Sequence, residues 1–162
     1  AQDIFAANSA TLALKGTLEK AIGTPQDDWI KGNAMANRVE GRGGSDTLFG
    51  SSGNDTLYGG GGDDWLYGGD GNDKLYGESG NNMLVGGAGN DTLDVFVNGA
   101  ATGRNLLIGG LGADVLRGGP GEDPVREQVG ERAGAVDGHV LPRRVGRCAH
   151  DVARDLDRDC LQ

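Results

Sequence analysis

Along residues 23–125 an aliphatic side chain returns every nine residues. In a frame of nine opened at Gly23, the eighth position reads Ile30, Val39, Leu48, Leu57, Leu66, Leu75, Leu84 and Leu93. After five extra residues within VFVNGAATG (95–103) it resumes as Leu107, Leu116 and Val125. Nine is neither the period of an amphipathic helix nor the alternation of a long strand; a fixed period of this kind marks a repeat architecture. The aliphatic sits among β-prone neighbours, as in DTLY and DKLY, which suits a strand of about three residues. The six glycine-dominated residues before it suit a turn, because glycine alone takes positive φ freely. Two units close one coil of 18 residues, and coils stack at the strand spacing of about 4.8 Å. The pattern predicts an all-β chain, a right-handed parallel β-roll (a β-solenoid) over 23–126. Its core is the row of position-eight side chains between two thin sheets.

The flanks break the pattern. In TLALKGTLEKAIG, Leu14, Leu18 and Ile22 fit a short helix, and the alternation of TLALKG fits a strand. On either reading residues 1–22 form a lead-in that caps the first coil. Residues 127–162 carry no repeat and are expected to be an irregular, disordered tail, with DVARDLDRDCLQ able to form a weak helix. The N-terminal stretch AQDIFAANSATLALKG lacks the basic start and apolar run of a secretory signal, and a start at Ala1 suits a processed chain or a fragment.

Composition narrows the partners. The 162 residues include 32 glycines, and 36% are hydrophobic, too little side-chain volume for an ordinary core. All of the net charge of −9 lies in residues 1–123, whereas 124–162 hold seven acidic and seven basic residues. A glycine-rich acidic body argues against nucleic acid and anionic membranes, and towards cations. No run of 18 apolar residues is present to span a membrane. Cys148 and Cys160 permit one disulfide and report no compartment.

The sixth position of the frame carries the candidate chemistry. It reads Asp28, Asn37, Asp46, Asp55, Asp64, Asp73, Asn82 and Asp91, then Asn105, Asp114 and Asp123. Alternate units fall on opposite edges of the roll, so 28, 46, 64, 82, 105 and 123 share one edge and 37, 55, 73, 91 and 114 the other. Carboxylates at the coil spacing of ~4.8 Å repel by about 3–4 kcal/mol at an effective dielectric of 20. One leucine per strand cannot hold such a stack together. A divalent cation between adjacent turns reverses the sign. With turn carbonyls adding to six to eight oxygen ligands, Ca²⁺ fits better than the tighter octahedron of Mg²⁺.

GGGGDDWLY (59–67), GGDGNDKLY (68–76) and GGAGNDTLD (86–94) resemble the repeats-in-toxin (RTX) hemolysin-type calcium-binding nonapeptide, G-G-x-G-x-D-x-U-x. The resemblance covers about residues 23–126 and is clearest over 41–94. It implies a calcium-loaded parallel β-roll binding several Ca²⁺ ions, in secreted, extracellular bacterial proteins exported by the type I secretion machinery. It assigns ligand roles to Asp46, Asp55, Asp64, Asp73 and Asp91, and less strongly to Asp28, Asp114 and Asp123. Turn carbonyls of Gly50, Gly53, Gly59, Gly62, Gly68, Gly71, Gly86 and Gly89 complete the expected set. Asn37, Asn82 and Asn105 depart from the pattern, so their sites should be weaker or empty. In such proteins the tail holds a secretion signal, although residues 127–162 match none strongly. Metal binding and folding should be one event.

Two further readings are set beside this one. Position nine carries Phe49, Tyr58, Tyr67 and Tyr76, with Trp65 at position seven. The pairs Phe49/Tyr67 and Tyr58/Tyr76 are expected to stack as short ladders on the two faces, either as packing or as a polysaccharide platform like that of RTX modules in alginate-modifying epimerases. An enzyme finds no support: H-E-x-x-H and G-x-S-x-G are absent, and His139 and His150, the only histidines, lie in the tail.

Overall fold

The computed structural model describes residues 3–5, 11–13, 15–17, 19–95, 103–119, 125–126, 135–136 and 139–140. Every regular element among them is a strand. The strands are β1 (Asp3–Phe5), β2 (Thr11–Ala13), β3 (Lys20–Ile22), β4 (Trp29–Lys31), β5 (Arg38–Gly43), β6 (Thr47–Ser52), β7 (Thr56–Gly61) and β8 (Trp65–Asp70). They continue as β9 (Lys74–Ser79), β10 (Met83–Ala88), β11 (Thr92–Asp94), β12 (Leu106–Leu111), β13 (Val115–Arg117), β14 (Val125–Arg126), β15 (Ala135–Val136) and β16 (His139–Val140).

Odd-numbered strands and β16 form a nine-stranded sheet in the order β1-β3-β5-β7-β9-β11-β13-β15-β16, and the even-numbered strands up to β14 form a seven-stranded one. All pairing is parallel except β15 with β16. The chain therefore alternates between two sheets once per nine residues, which is the roll expected from the repeat. From β2 to β11 partners lie 18 residues apart, as in Leu48↔Leu66 and Leu57↔Leu75. Across the insert they lie 23 apart, as in Leu84↔Leu107 and Leu93↔Leu116, so the five extra residues leave the coil register intact. The strand reading of Thr11–Gly16 holds at Thr11–Ala13, and β1, β2 and β3 carry the two sheets upstream of Gly23. Of residues 127–162, the structure describes only β15 and β16, so the expected disorder of that tail falls outside the described residues.

The strands differ from expectation in length. From β5 to β10, and in β12, they run six residues rather than three. Pairing continues past position nine to positions two and three, as in Gly60↔Glu78 and Gly61↔Ser79, and skips position one. The backbone at position two takes positive φ, at Gly60 (111°) for example, and so stays in the ladder while bending. The true turn is the three residues at positions four to six.

The core is thin. Ala21, Ile30, Val39, Leu48, Leu57, Leu66, Leu75, Leu84, Leu93, Val95, Leu107 and Leu116 are all fully buried in one cluster. All but Val95 hold position eight of their strands, and each leucine contributes roughly 1.5–3 kcal/mol on burial. The outer faces differ from one another. On the nine-stranded sheet, Arg38 pairs with Glu40 (2.8 Å), donates to the Tyr58 hydroxyl (2.8 Å) and lies over its ring. Tyr58 in turn stacks on Tyr76 with ring centres 4.9 Å apart. On the seven-stranded sheet, Trp29, Phe49 and Tyr67 make a row of tilted contacts at 5.5 and 6.2 Å.

Candidate metal centre

Each roll edge is a column of position-six side chains, and each column is wired the same way. The backbone N–H of Asp28 donates to Asp46 Oδ1 (2.8 Å), that of Asp46 to Asp64 (2.9 Å), and that of Asp64 to Asn82 (2.8 Å). Asn82 donates to Asn105 Oδ1 across the insert (2.8 Å). On the other edge Asn37 donates to Asp55, Asp55 to Asp73, Asp73 to Asp91 and Asp91 to Asp114, at 2.7–2.9 Å. Both edges hold the members expected of them among the described residues; Asp123 lies outside these.

In five of these carboxylates one oxygen is thus used and the other is not. Oδ2 of Asp46, Asp55, Asp64, Asp73 and Asp91 is buried with no hydrogen-bond partner. A buried, unsatisfied carboxylate oxygen is costly, and five in register need a shared explanation. Each faces the position-one glycine of its own unit, and the position-one carbonyl of the next coil enters the same space. At Gly50, a Cβ would strike Asp55 Oδ2 and come within 2.6 Å of Gly68 O; at Gly68, it would strike Asp73 Oδ2 and lie 2.6 Å from Gly86 O. Gly41 and Gly86 repeat this with Asp46 and Gly59 O, and with Asp91 and Gly109 O. Glycine at position one is required because any side chain would fill the cradle.

Burial dominates the electrostatics. It pushes Asp55, Asp64 and Asp91 up to about 7 and Asp46 to about 6, offset in part by the N–H each accepts, with neighbouring carboxylates raising them further. Asp73 and Asp114 move in the same direction for the same reason. Among the described residues no three acidic, histidine or cysteine side chains converge. What converges is one carboxylate oxygen per coil with main-chain carbonyls, an all-oxygen donor set that suits a hard cation of Ca²⁺ type.

The remaining expected residues are placed differently. Asp28 Oδ2 accepts from the Thr24 N–H (2.5 Å) and hydroxyl (3.1 Å), so its own loop satisfies it. Asp114 Oδ2 faces Gly109. The carbonyls of Gly50, Gly59, Gly68 and Gly86 open into cradles, at Gly32, Gly41, Gly50 and Gly68 respectively. Those of Gly53, Gly62, Gly71 and Gly89 lie instead against the position-four glycines Gly71, Gly80, Gly89 and Gly112. Trp65 and Tyr67 stand on the seven-stranded sheet and Tyr58 and Tyr76 on the opposite face, so the four form no single platform.

Two features escaped the sequence reading. Position five forms a second ladder, exposed and of opposite polarity. The N–H of Ser45 donates to Asp27, that of Asp63 to Ser45 and that of Asn81 to Asp63. On the other edge Asn72 donates to Asn54, and Asn90 to Asn72. The run Asn54, Asp63, Asn72, Asn81, Asn90 was the available signal. The second is Val95, which stands where the next position-one glycine would fall. At Gly77 a Cβ would meet Asn82 Nδ2 at 2.9 Å and Val95 Cγ1 at 3.0 Å. Asn82 Nδ2 is buried without a partner. Here the cradle holds an amide donor and a methyl group in place of two oxygens.

A family model described as the RTX calcium-binding nonapeptide repeat (4 copies) matches residues 22–57, 58–93 and 100–123. No curated protein and no solved structure matches the chain.

Proposed function

The chain belongs to the RTX calcium-binding nonapeptide repeat family and is a calcium-binding repeat module, and from that premise we propose that its edges are calcium ladders that fold the roll. The observation that carries this is the set of five orphaned Oδ2 atoms, each sharing its cradle with a carbonyl of the next coil. Asp55, Asp73, Asp91 and Asp114 form the longer continuous row, and Asp46 with Asp64 the shorter one, which stops at Asn82 and Val95. Bound Ca²⁺ supplies the positive charge that offsets the stacked carboxylates. The chain itself supplies the rest: Oδ1 fixes each carboxylate to the neighbouring coil, Oδ2 is left facing the cradle, and position-one glycines keep it open. Residues 23–126 act as the binding unit, with β1, β2 and β3 extending its sheets.

Without calcium, glycine entropy and carboxylate repulsion favour an expanded coil. Extracellular calcium modules bind in the range of about 10⁻⁴–10⁻³ M. A module of that kind stays unfolded in a bacterial cytosol and folds outside, which suits a folding and secretion role in an extracellular protein exported by a type I channel. The polysaccharide reading has less behind it, because the aromatics divide between two faces and Tyr58 and Tyr76 are engaged with each other and Arg38. Circular dichroism of the full chain against Ca²⁺, with Mg²⁺ as control, tests the proposal. A cooperative coil-to-β transition with Ca²⁺ alone, weakened by Asp73→Ala, is expected; a spectrum indifferent to calcium overturns it. Export that stays efficient when external calcium is chelated would defeat the secretion role.

A further inference from the structure

The two outer faces of the roll are chemically unlike, and the difference is not needed to hold calcium. The nine-stranded face is dressed with ion pairs, among them Arg38–Glu40 and Arg117–Asp94. The seven-stranded face presents Trp29, Phe49, Trp65, Tyr67, Val85 and Ile108 from consecutive strands β4 to β12, with Lys31 and Asp70 among its charges. Trp65 is 47% exposed and Tyr67 39%. Contiguous apolar surface of this kind on a chain otherwise so acidic marks an interaction site.

The same face carries both a protrusion and a recess. The protrusion is Trp65. The recess is a groove of about 340 Å³ running across three coils, floored by Gly69, Gly87 and Gly110. Tyr67, Val85 and Ile108 wall it on one side and Asp70, Ala88 and Leu111 on the other. The floor is low because position two holds glycine in all three coils, each at a φ of 113–119°. The groove is open to solvent along its length and wide enough for a flat aromatic ring to lie in it.

We propose that this face is a self-association surface, and that a second copy of the chain occupies it. A knob and a hole on one patch make it self-complementary: a two-fold axis in the plane of contact, passing between them, seats each Trp65 in the other copy's groove and closes the assembly at two. The calcium edges point sideways, away from this contact. Five strands of about 4.8 Å spacing and up to six residues of about 3.3 Å give a patch of roughly 24 by 20 Å, or about 480 Å² per copy. The pair buries nearly 1,000 Å², at the low end for a specific interface, so the dimer is weak and concentration-dependent.

Sedimentation velocity on the full chain in saturating Ca²⁺, from about 5 to 500 µM, tests this across the expected range of dissociation constants. The expected result is a mass rising from one chain to two. Trp65→Ser, and independently Leu111→Glu at the groove rim, should raise the midpoint concentration at least about tenfold, as loss of a central anchor does. Tyr58→Ser on the opposite face should leave it unchanged. Circular dichroism confirms that each variant still folds with calcium, which separates a failed interface from a failed roll. A single-chain mass at the highest concentration, growth beyond two copies, or a dimer indifferent to both Trp65→Ser and Leu111→Glu overturns the proposal.

Discussion

Lowering the pH should fold the roll without calcium. In the fold, Asp55, Asp64 and Asp91 titrate at about 7 and Asp46 at about 6, against an ordinary value of 3.8. Three pH units correspond to about 4 kcal/mol per carboxylate, and to roughly half that on an edge whose covering turns are open to water. Four such groups together cost roughly 7–8 kcal/mol when all are ionised, as large as the whole stability of a typical domain at about 5–15 kcal/mol. The sign is fixed by linkage. The folded pKa values lie above the unfolded ones, so between about pH 4 and 7 the fold holds more protons than the coil, and stability falls as pH rises through that window. In excess chelator, far-UV circular dichroism and denaturant midpoints should report a folded roll at pH 5.5 and a coil at pH 8. Calcium uptake should release protons, more at pH 6.5 than at pH 8. If the chelated chain is equally unfolded at both pH values, or gains stability as pH rises, carboxylate burial is not what makes the roll depend on metal.

Three other outcomes are expected. Leu66→Ala opens a void in a core one side chain thick and should cost about 2–5 kcal/mol in calcium-loaded unfolding; a cost below about 1 kcal/mol would mean the ladders, not the leucines, hold the sheets. Ser51→Gly should stabilise by about 1 kcal/mol, since Ser51 sits at φ 93°, where four other nine-residue units place glycine; a lower denaturant midpoint for the variant would contradict this. The double change Asn82→Asp with Val95→Gly should add calcium to the interrupted edge, read as one more equivalent bound per chain in a calorimetric titration. An unchanged count would mean that something other than the amide and the methyl group closes that position.

Much of this architecture was legible in the primary structure, because a solenoid projects its three-dimensional neighbours onto a fixed sequence interval. The position-eight core, the two position-six columns and the harmless insert all follow from counting by nine. What escaped was whatever depends on the stacking of coils rather than on one unit. The position-five ladder was visible as a column of Asn and Asp, yet its meaning required knowing that the side chain of one coil meets the N–H of the next. The longer strands required the bend at position two, which only a backbone displays. Val95 lies in the stretch that holds the five extra residues, yet it is also the last position-one residue of the regular frame and takes the place glycine holds elsewhere.

That insert has a wider consequence. Leu84 pairs with Leu66 below and Leu107 above in the same register, although one step spans 18 residues and the other 23. The sheets count strands and are blind to the contour length of chain between them. Lengthening such a connection costs only about 0.6 kcal/mol per doubling. The segment between β11 and β12 is therefore a natural grafting point, where foreign peptide can be inserted without disturbing the pairing of the strands that flank it.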